Sequence, residues 1–152
     1  MRTFDNLEAF TAAAGEDLGT SDWHTITQEQ INLFADATGD HQWIHVDPEK
    51  AATGPFGSTI AHGYLTLSLL PVLLEQVYSV GNIALGMNYG ANKVRFPSPV
   101  PVNSRVRATG KLLDAKPISI GTQFVIEAII EREGGDKPVC VAEVVYVFAG
   151  KE

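Results

Sequence analysis

The sequence has a single cysteine, only 11 lysines and arginines against 18 acidic residues, and no apolar run long enough to cross a bilayer. The lone Cys140 can close no internal disulfide. It sits in Pro138-Val139-Cys140-Val141-Ala142, where no basic neighbour lowers its pKa, so it reads as a small buried apolar residue of a strand rather than a nucleophile. A net charge of -7 excludes the non-specific nucleic-acid binders, because phosphate contacts need a basic surface. The most apolar stretch, Gly63 to Leu74, falls short of the roughly 20 residues a membrane span requires. It runs into Glu75 and Gln76, which makes it a candidate for a buried helix. The first residues, Met1-Arg2-Thr3-Phe4-Asp5, carry an acid early and no signal-like apolar core, so a cytoplasmic location is expected. Repeats, low-complexity runs and linkers are also lacking.

What is present is an ordinary globular balance, 45% apolar and 19% charged over 152 residues, which predicts one domain spanning 1–152. A cap at Asp5 with Glu8 three residues on predicts a short helix to about Ala14. A short strand follows near Trp23 to Ile26. Thr27 caps a second helix whose apolar Ile31, Phe34 and Ala35 recur at helical spacing and which Gly39 ends. Residues 40–46 are expected as a loop. Asp47-Pro48 starts another helix, with aspartate at the cap and proline at the first helical position. From His62 to about Ser79 the chain is apolar around most of a helical circumference, which predicts a central helix buried on nearly all sides, kinked or locally broken at Pro71. After Gly81 the pattern becomes strand-like over Ile83–Phe96, Ser104–Leu113, Gly121–Glu131 and Val139–Phe148. Helices first and strands after give an α+β class, an antiparallel sheet wrapped around one long apolar helix.

Chemistry concentrates in Gly39-Asp40-His41-Gln42-Trp43-Ile44-His45-Val46-Asp47. A carboxylate and an imidazole lie in a segment fixed by a helix end before it and a helix start after it. Such a pair can share a water, take a proton from it and return one to carbon, since imidazole titrates near neutral pH. Each residue also has a plainer role open to it: Asp40 as the partner of a loop N–H, His45 as a buried ring donating to a carbonyl, Asp47 as a helix cap. A second feature is Ile60-Ala61-His62-Gly63-Tyr64, which puts a glycine at the first turn of the apolar helix, where free N–H groups and the helix dipole favour a developing anion. Glycine would let a carbonyl oxygen reach the backbone, or would simply let another element pack closely. Asp40, His41, His45, Asp47 and His62 are potential metal ligands, but no cysteine or glutamate pattern completes a shell, and no metal is expected. Lys93, Arg95, Arg105 and Arg107 could meet phosphates, or could be solvated strand faces.

These residues resemble the MaoC-like hydratase family, including the (R)-specific enoyl-CoA hydratases. The likeness runs through Phe34-Ala35-Asp36-Ala37-Thr38-Gly39-Asp40, Ile44-His45, Ile60-Ala61-His62-Gly63 and Val94-Arg95-Phe96-Pro97-Ser98-Pro99-Val100. It implies a hotdog fold, a homodimer, and reversible hydration of a trans-2-enoyl-CoA to an (R)-3-hydroxyacyl-CoA without cofactor or metal. Asp40 and His45 would activate water, and the Gly63 N–H would bind the thioester oxygen, with Gln42 and His62 beside the substrate. An acyl-carrier-protein thioester is an equally open substrate. Gln42-Trp43 stands where the family usually has Asn-Pro, and Asn103 where a glycine is common. A subgroup resembling nodulation protein N shares such a loop. Thioester hydrolysis on the same scaffold, and acyl-thioester binding without turnover, are the competing readings.

Overall fold

A computed structural model describes Met1–Lys151. Five of its strands form one antiparallel sheet in the order β2-β6-β7-β8-β5, namely Asp17–Thr20, Arg105–Ile118, Gly121–Arg132, Cys140–Gly150 and Ile83–Arg95, with β3 (His24–Thr25) also on β6. Along β7 buried and half-buried side chains alternate, and the buried set, Phe124, Ile126, Ala128 and Ile130, faces the helical layer. Against it pack Phe10, Leu65, Leu70, Leu73, Leu74 and Val77 from the helical side of the chain. Cys140 is buried in β8, and that burial pushes its thiol up to about 11, as expected of an inert core cysteine.

The expected strands and the α+β layering are present, and the caps do what their chemistry asks. Thr27 accepts from the Gln30 N–H at 3.2 Å to open α2 (Gln28–Thr38), which Gly39 closes in the left-handed conformation at φ 83°. Asp47 accepts from the Lys50 N–H at 3.0 Å to open α4 (Pro48–Ala52). The first helix, α1 (Leu7–Ala12), is capped by Asn6 rather than Asp5, its Oδ1 accepting from the Ala9 N–H at 2.9 Å. Asn103, where a glycine was the family habit, adopts φ 65°. Asparagine is among the few residues that tolerate that region.

Four further expectations need correction. The single long helix is two short ones, α5 (Gly63–Ser68) and α6 (Leu70–Leu74), interrupted at Leu69. Pro71 lacks the N–H that would bond back across the break, so of the two outcomes the proline allowed, a kink or a local break, the chain takes the break. The helical segment also ends at Leu74 rather than Ser79. Tyr78–Val80 is β4 and pairs in parallel with β1 (Arg2–Phe4), a contact across the whole helical half that local pattern does not encode. Finally, residues 40–46 are not all loop, because Trp43–Val46 makes one helical turn, α3. Burial is one-sided as well: Tyr64, Ser68 and Val72 remain exposed on α5 and α6, and β5 exposes most of its length, including Leu85 and Tyr89.

Candidate active site

Asp40 and His45 reach the same place by different routes. Asp40 follows the left-handed Gly39, and among the described residues its carboxylate accepts only from the Gln42 N–H, at 3.3 Å, while the residue itself is exposed. His45 lies on the single turn α3 and is buried, with 7% exposure. Its Nδ1 sits 2.7 Å from the Ile60 carbonyl oxygen. A carbonyl can only accept, so Nδ1 carries the proton and Nε2 of the neutral ring is a bare lone pair. Burial, with a smaller push from His62, lowers the His45 pKa against the opposing pull of the Ile60 bond and the Asp40 charge. The ring is thereby held in its basic form.

The segment Thr59–His62 is the frame for this arrangement. Ile60 donates its N–H to the Ile44 carbonyl at 3.0 Å. Thr59 donates its hydroxyl to Gln28 Oε1 at 2.5 Å, and Gln28 Nε2 donates in turn to the His45 carbonyl at 2.8 Å. His62, almost fully buried, lies within hydrogen-bond reach of the Asp40 carbonyl, at 2.9 Å, through its Nε2. Its ring stacks on that of His45 with centroids 3.9 Å apart and planes 23° from parallel. Gln28 and Thr59 carried no signal in the sequence, since their bond spans 31 residues and joins a helix to a loop.

Ligating atoms of Asp40, His45 and His62 all lie within 4.8 Å of one another. The separation allows one water to bridge a carboxylate oxygen and an imidazole nitrogen, each at ordinary hydrogen-bond length. Nδ1 of His45 and Nε2 of His62 already face the Ile60 and Asp40 carbonyls, so one nitrogen of each ring is left for a water or an ion.

His45 and Gly63 line a common cavity of about 320 Å³, with Phe56, Thr66, Phe96 and Ser98 among its walls. Asp40 is not among its lining residues and meets the site through its proximity to His45. As the first helical residue, Gly63 has no intrahelical carbonyl for its N–H. A six-residue helix adds little dipole, so the N–H itself is what the position offers. The Phe96 ring comes so close that a Cβ on Gly63 would lie 2.9 Å from it. Phe96 was not singled out from the sequence, although it sits in the stretch that carried the family likeness.

The remaining candidates separate from this centre. Gln42 is exposed, and its backbone rather than its amide meets Asp40. Trp43 packs on Gly54 and beneath the Lys50 ammonium, 4.7 Å from the ring centroid, so the bulk that replaces the usual proline is turned to α4 and is absent from the cavity wall. His41 is exposed and bonded to Asp36 at 2.9 Å, a bond that raises its pKa. Asp47 caps α4. Arg105 and Arg107 are committed to Glu133 and Glu131 across β6 and β7, and both guanidinium groups lie over Trp23.

The model of the MaoC like domain matches residues 9–134, which is most of the chain and all of this site. The chain belongs to the MaoC-like family. Among its relatives, the 3-hydroxyacyl-thioester dehydratase Z of Mycobacterium tuberculosis is 62% identical over 144 residues, covering 94% of this chain and 95% of that protein. The nodulation protein N of Rhizobium leguminosarum bv. viciae is 43% identical, covering 88% of this chain and 85% of its own. In structure, the (R)-hydratase of A. caviae involved in PHA biosynthesis superposes with a TM-score of 0.73 at 24% identity, over 90% of this chain and 96% of that one. The fold is a hotdog, and the enzyme class is that of the family's dehydratases, a hydro-lyase. Among the described residues no helix is long and apolar enough to cross a membrane.

Proposed function

We propose that this protein reversibly adds water to a trans-2-enoyl thioester, on CoA or an acyl carrier protein, to give the (R)-3-hydroxyacyl thioester. The observation that carries the reading is the Asp40 carboxylate within 4.8 Å of an imidazole whose tautomer leaves a bare nitrogen. In hydration the bridged water's oxygen bonds to Cβ as His45 Nε2 takes its proton, and the π electrons shift into an enolate on the thioester oxygen. The Gly63 N–H stabilises that oxygen, and a proton returned from the dyad to Cα restores the carbonyl, so that one water is added in all. The R configuration rests on the family likeness. The 62% identical relative named as a 3-hydroxyacyl-thioester dehydratase supports both the substrate class and the reverse direction. The test is loss of the conjugated enoyl-thioester absorbance on adding purified protein, without release of free thiol. Thiol release from a saturated acyl-CoA would replace hydration by hydrolysis.

The His45 environment sets the pH response. Because its pKa is depressed, the basic form persists to more acidic pH than an ordinary histidine allows. The acid limb of kcat/KM for hydration is expected below the usual histidine value of about 6.5. The folding linkage has the same sign. Unfolded His45 gains its proton as pH falls through about 6.5 while the folded ring resists it, so stability is complete above that value and declines below it until the folded ring also titrates. A limb at or above 6.5 would contradict the assigned role.

The working unit is a homodimer. β5 is an edge strand with an unpaired side, exposing Leu85 at 52% and Tyr89 at 62%, and the exposed apolar face of α5 and α6 carries Tyr64 and Val72. An open, long, apolar edge is a template for another strand. A second copy on this side would supply the burial that the all-round apolar helix pattern calls for. The double variant Leu85→Lys, Tyr89→Lys is expected to halve the sedimentation mass, and an unchanged mass would place the contact elsewhere.

A further inference from the structure

The loop that presents Asp40 is nearly detached from the body of the protein. Gly39, His41 and Gln42 bond only to close sequence neighbours: the Gly39 N–H to Ala35, the His41 N–H to Gly39, the His41 ring to Asp36, and the Gln42 carbonyl to the His45 N–H. The Asp40 N–H has a long 3.4 Å contact to Thr38 Oγ1. Among the described residues, the one hydrogen bond that ties residues 39–42 to a distant part of the chain is from His62 Nε2 to the Asp40 carbonyl, 2.9 Å and 22 residues away. That carbonyl can only accept, so the His62 proton is on Nε2 and its Nδ1 is left as an acceptor. Nδ1 is buried and has no partner. Nothing local rewards a histidine there for its second nitrogen, and an apolar ring would pack against Phe34 as well, at 4.8 Å between centroids.

We infer that His62 is a positioning residue, which does not touch the reacting atoms but fixes the Asp40 loop through its Nε2–H and sets the distance between the carboxylate and the His45 ring stacked upon it. The inference rests on the hydration reading for its consequence, while the positional claim stands on the hydrogen bond alone. His45 is also held through Ile60 and Gln28, so loss of the His62 donor loosens chiefly the aspartate side of the dyad. A dyad that must share one water is sensitive to such loosening, because a misplacement of about 1 Å can cost on the order of a hundredfold in rate.

Glutamine separates the bond from the ring. Its Nε2 lies the same number of bonds from Cα as histidine Nε2, so His62→Gln can donate to the Asp40 carbonyl, whereas His62→Leu fills the space without a donor. His62→Asn has a donor that stops short. For hydration of an enoyl-CoA, kcat is expected to fall about 100-fold in His62→Leu and His62→Asn with KM within about threefold, and to stay within about fivefold of the native value in His62→Gln. Backbone 15N relaxation, with no substrate present, should show the amides of Asp40, His41 and Gln42 gaining motion in the leucine and asparagine variants and not in the glutamine variant. Native kcat in a folded leucine or asparagine variant overturns the inference. So does a glutamine variant as impaired or as mobile as the leucine one, which would assign the role to ring packing. If the leucine variant does not fold, the asparagine and glutamine pair decides. If the native protein hydrates no enoyl thioester, the functional reading fails, and the relaxation data still decide whether His62 holds the loop.

Discussion

Asp40→Asn is expected to leave a folded protein whose hydration rate is reduced by about 10³-fold or more, within the range general acid–base groups contribute. The change is nearly isosteric, and Asp40 is exposed, so the stability effect should stay within about 0.5 kcal/mol. Among the described residues its carboxylate makes one bond, from the Gln42 N–H, which an asparagine Oδ1 can also accept, though more weakly. What disappears is the charge that helps hold a water against His45 and the capacity to exchange a proton with it. Thermal unfolding and the enoyl absorbance assay, run on the same preparation, check both halves. A variant with native activity would remove Asp40 from the mechanism, and with it the reason for pairing the reaction's water with the Asp40–His45 couple.

The residues of that centre were legible in the sequence to an uneven degree, and the unevenness has a physical pattern. Signals written within one turn came through: Thr27 and Gly39 bounding α2, and Asp47-Pro48 opening α4, because caps and left-handed glycine are local chemistry. Asp40 and His45 were visible as a pair because they lie in one short stretch. The frame that makes them a pair was not, because Thr59, Gln28 and His62 act through bonds that join distant stretches of chain. The two strands missed near the amino end fail for the same reason. β1 is three residues long and exists by pairing with β4, and β2 by pairing with β6, so neither has an alternation of its own to read. The helix was overextended because apolar residues on every side of a helix and of a short buried strand look alike, and Tyr78 satisfied both patterns. The open face of α5 and α6 shows the converse, a pattern of burial that the single chain does not fulfil.

Gly63→Ala is the substitution expected to separate packing from chemistry in the cavity, lowering kcat for hydration by about 10² to 10³, the usual cost of losing one oxyanion donor. The added methyl retains the backbone N–H, so the loss is one of access. A methyl carbon would sit 2.9 Å from the Phe96 ring, and on the proposed mechanism it would crowd a thioester oxygen approaching the N–H. The Phe96 Cγ would also lie 3.1 Å from the methyl, so the whole side chain must turn, and the overpacking is expected to cost about 1–3 kcal/mol of stability. Thermal unfolding measures that cost separately from the loss of activity. The double variant Gly63→Ala, Phe96→Ala decides between causes, because it removes the ring the methyl would strike and leaves the methyl in place. If activity stays low, the carbonyl needs a bare backbone at this position. If activity returns to the level of Phe96→Ala alone, the glycine serves only to admit the phenyl ring, and the anion formed in the reaction must be stabilised by another donor.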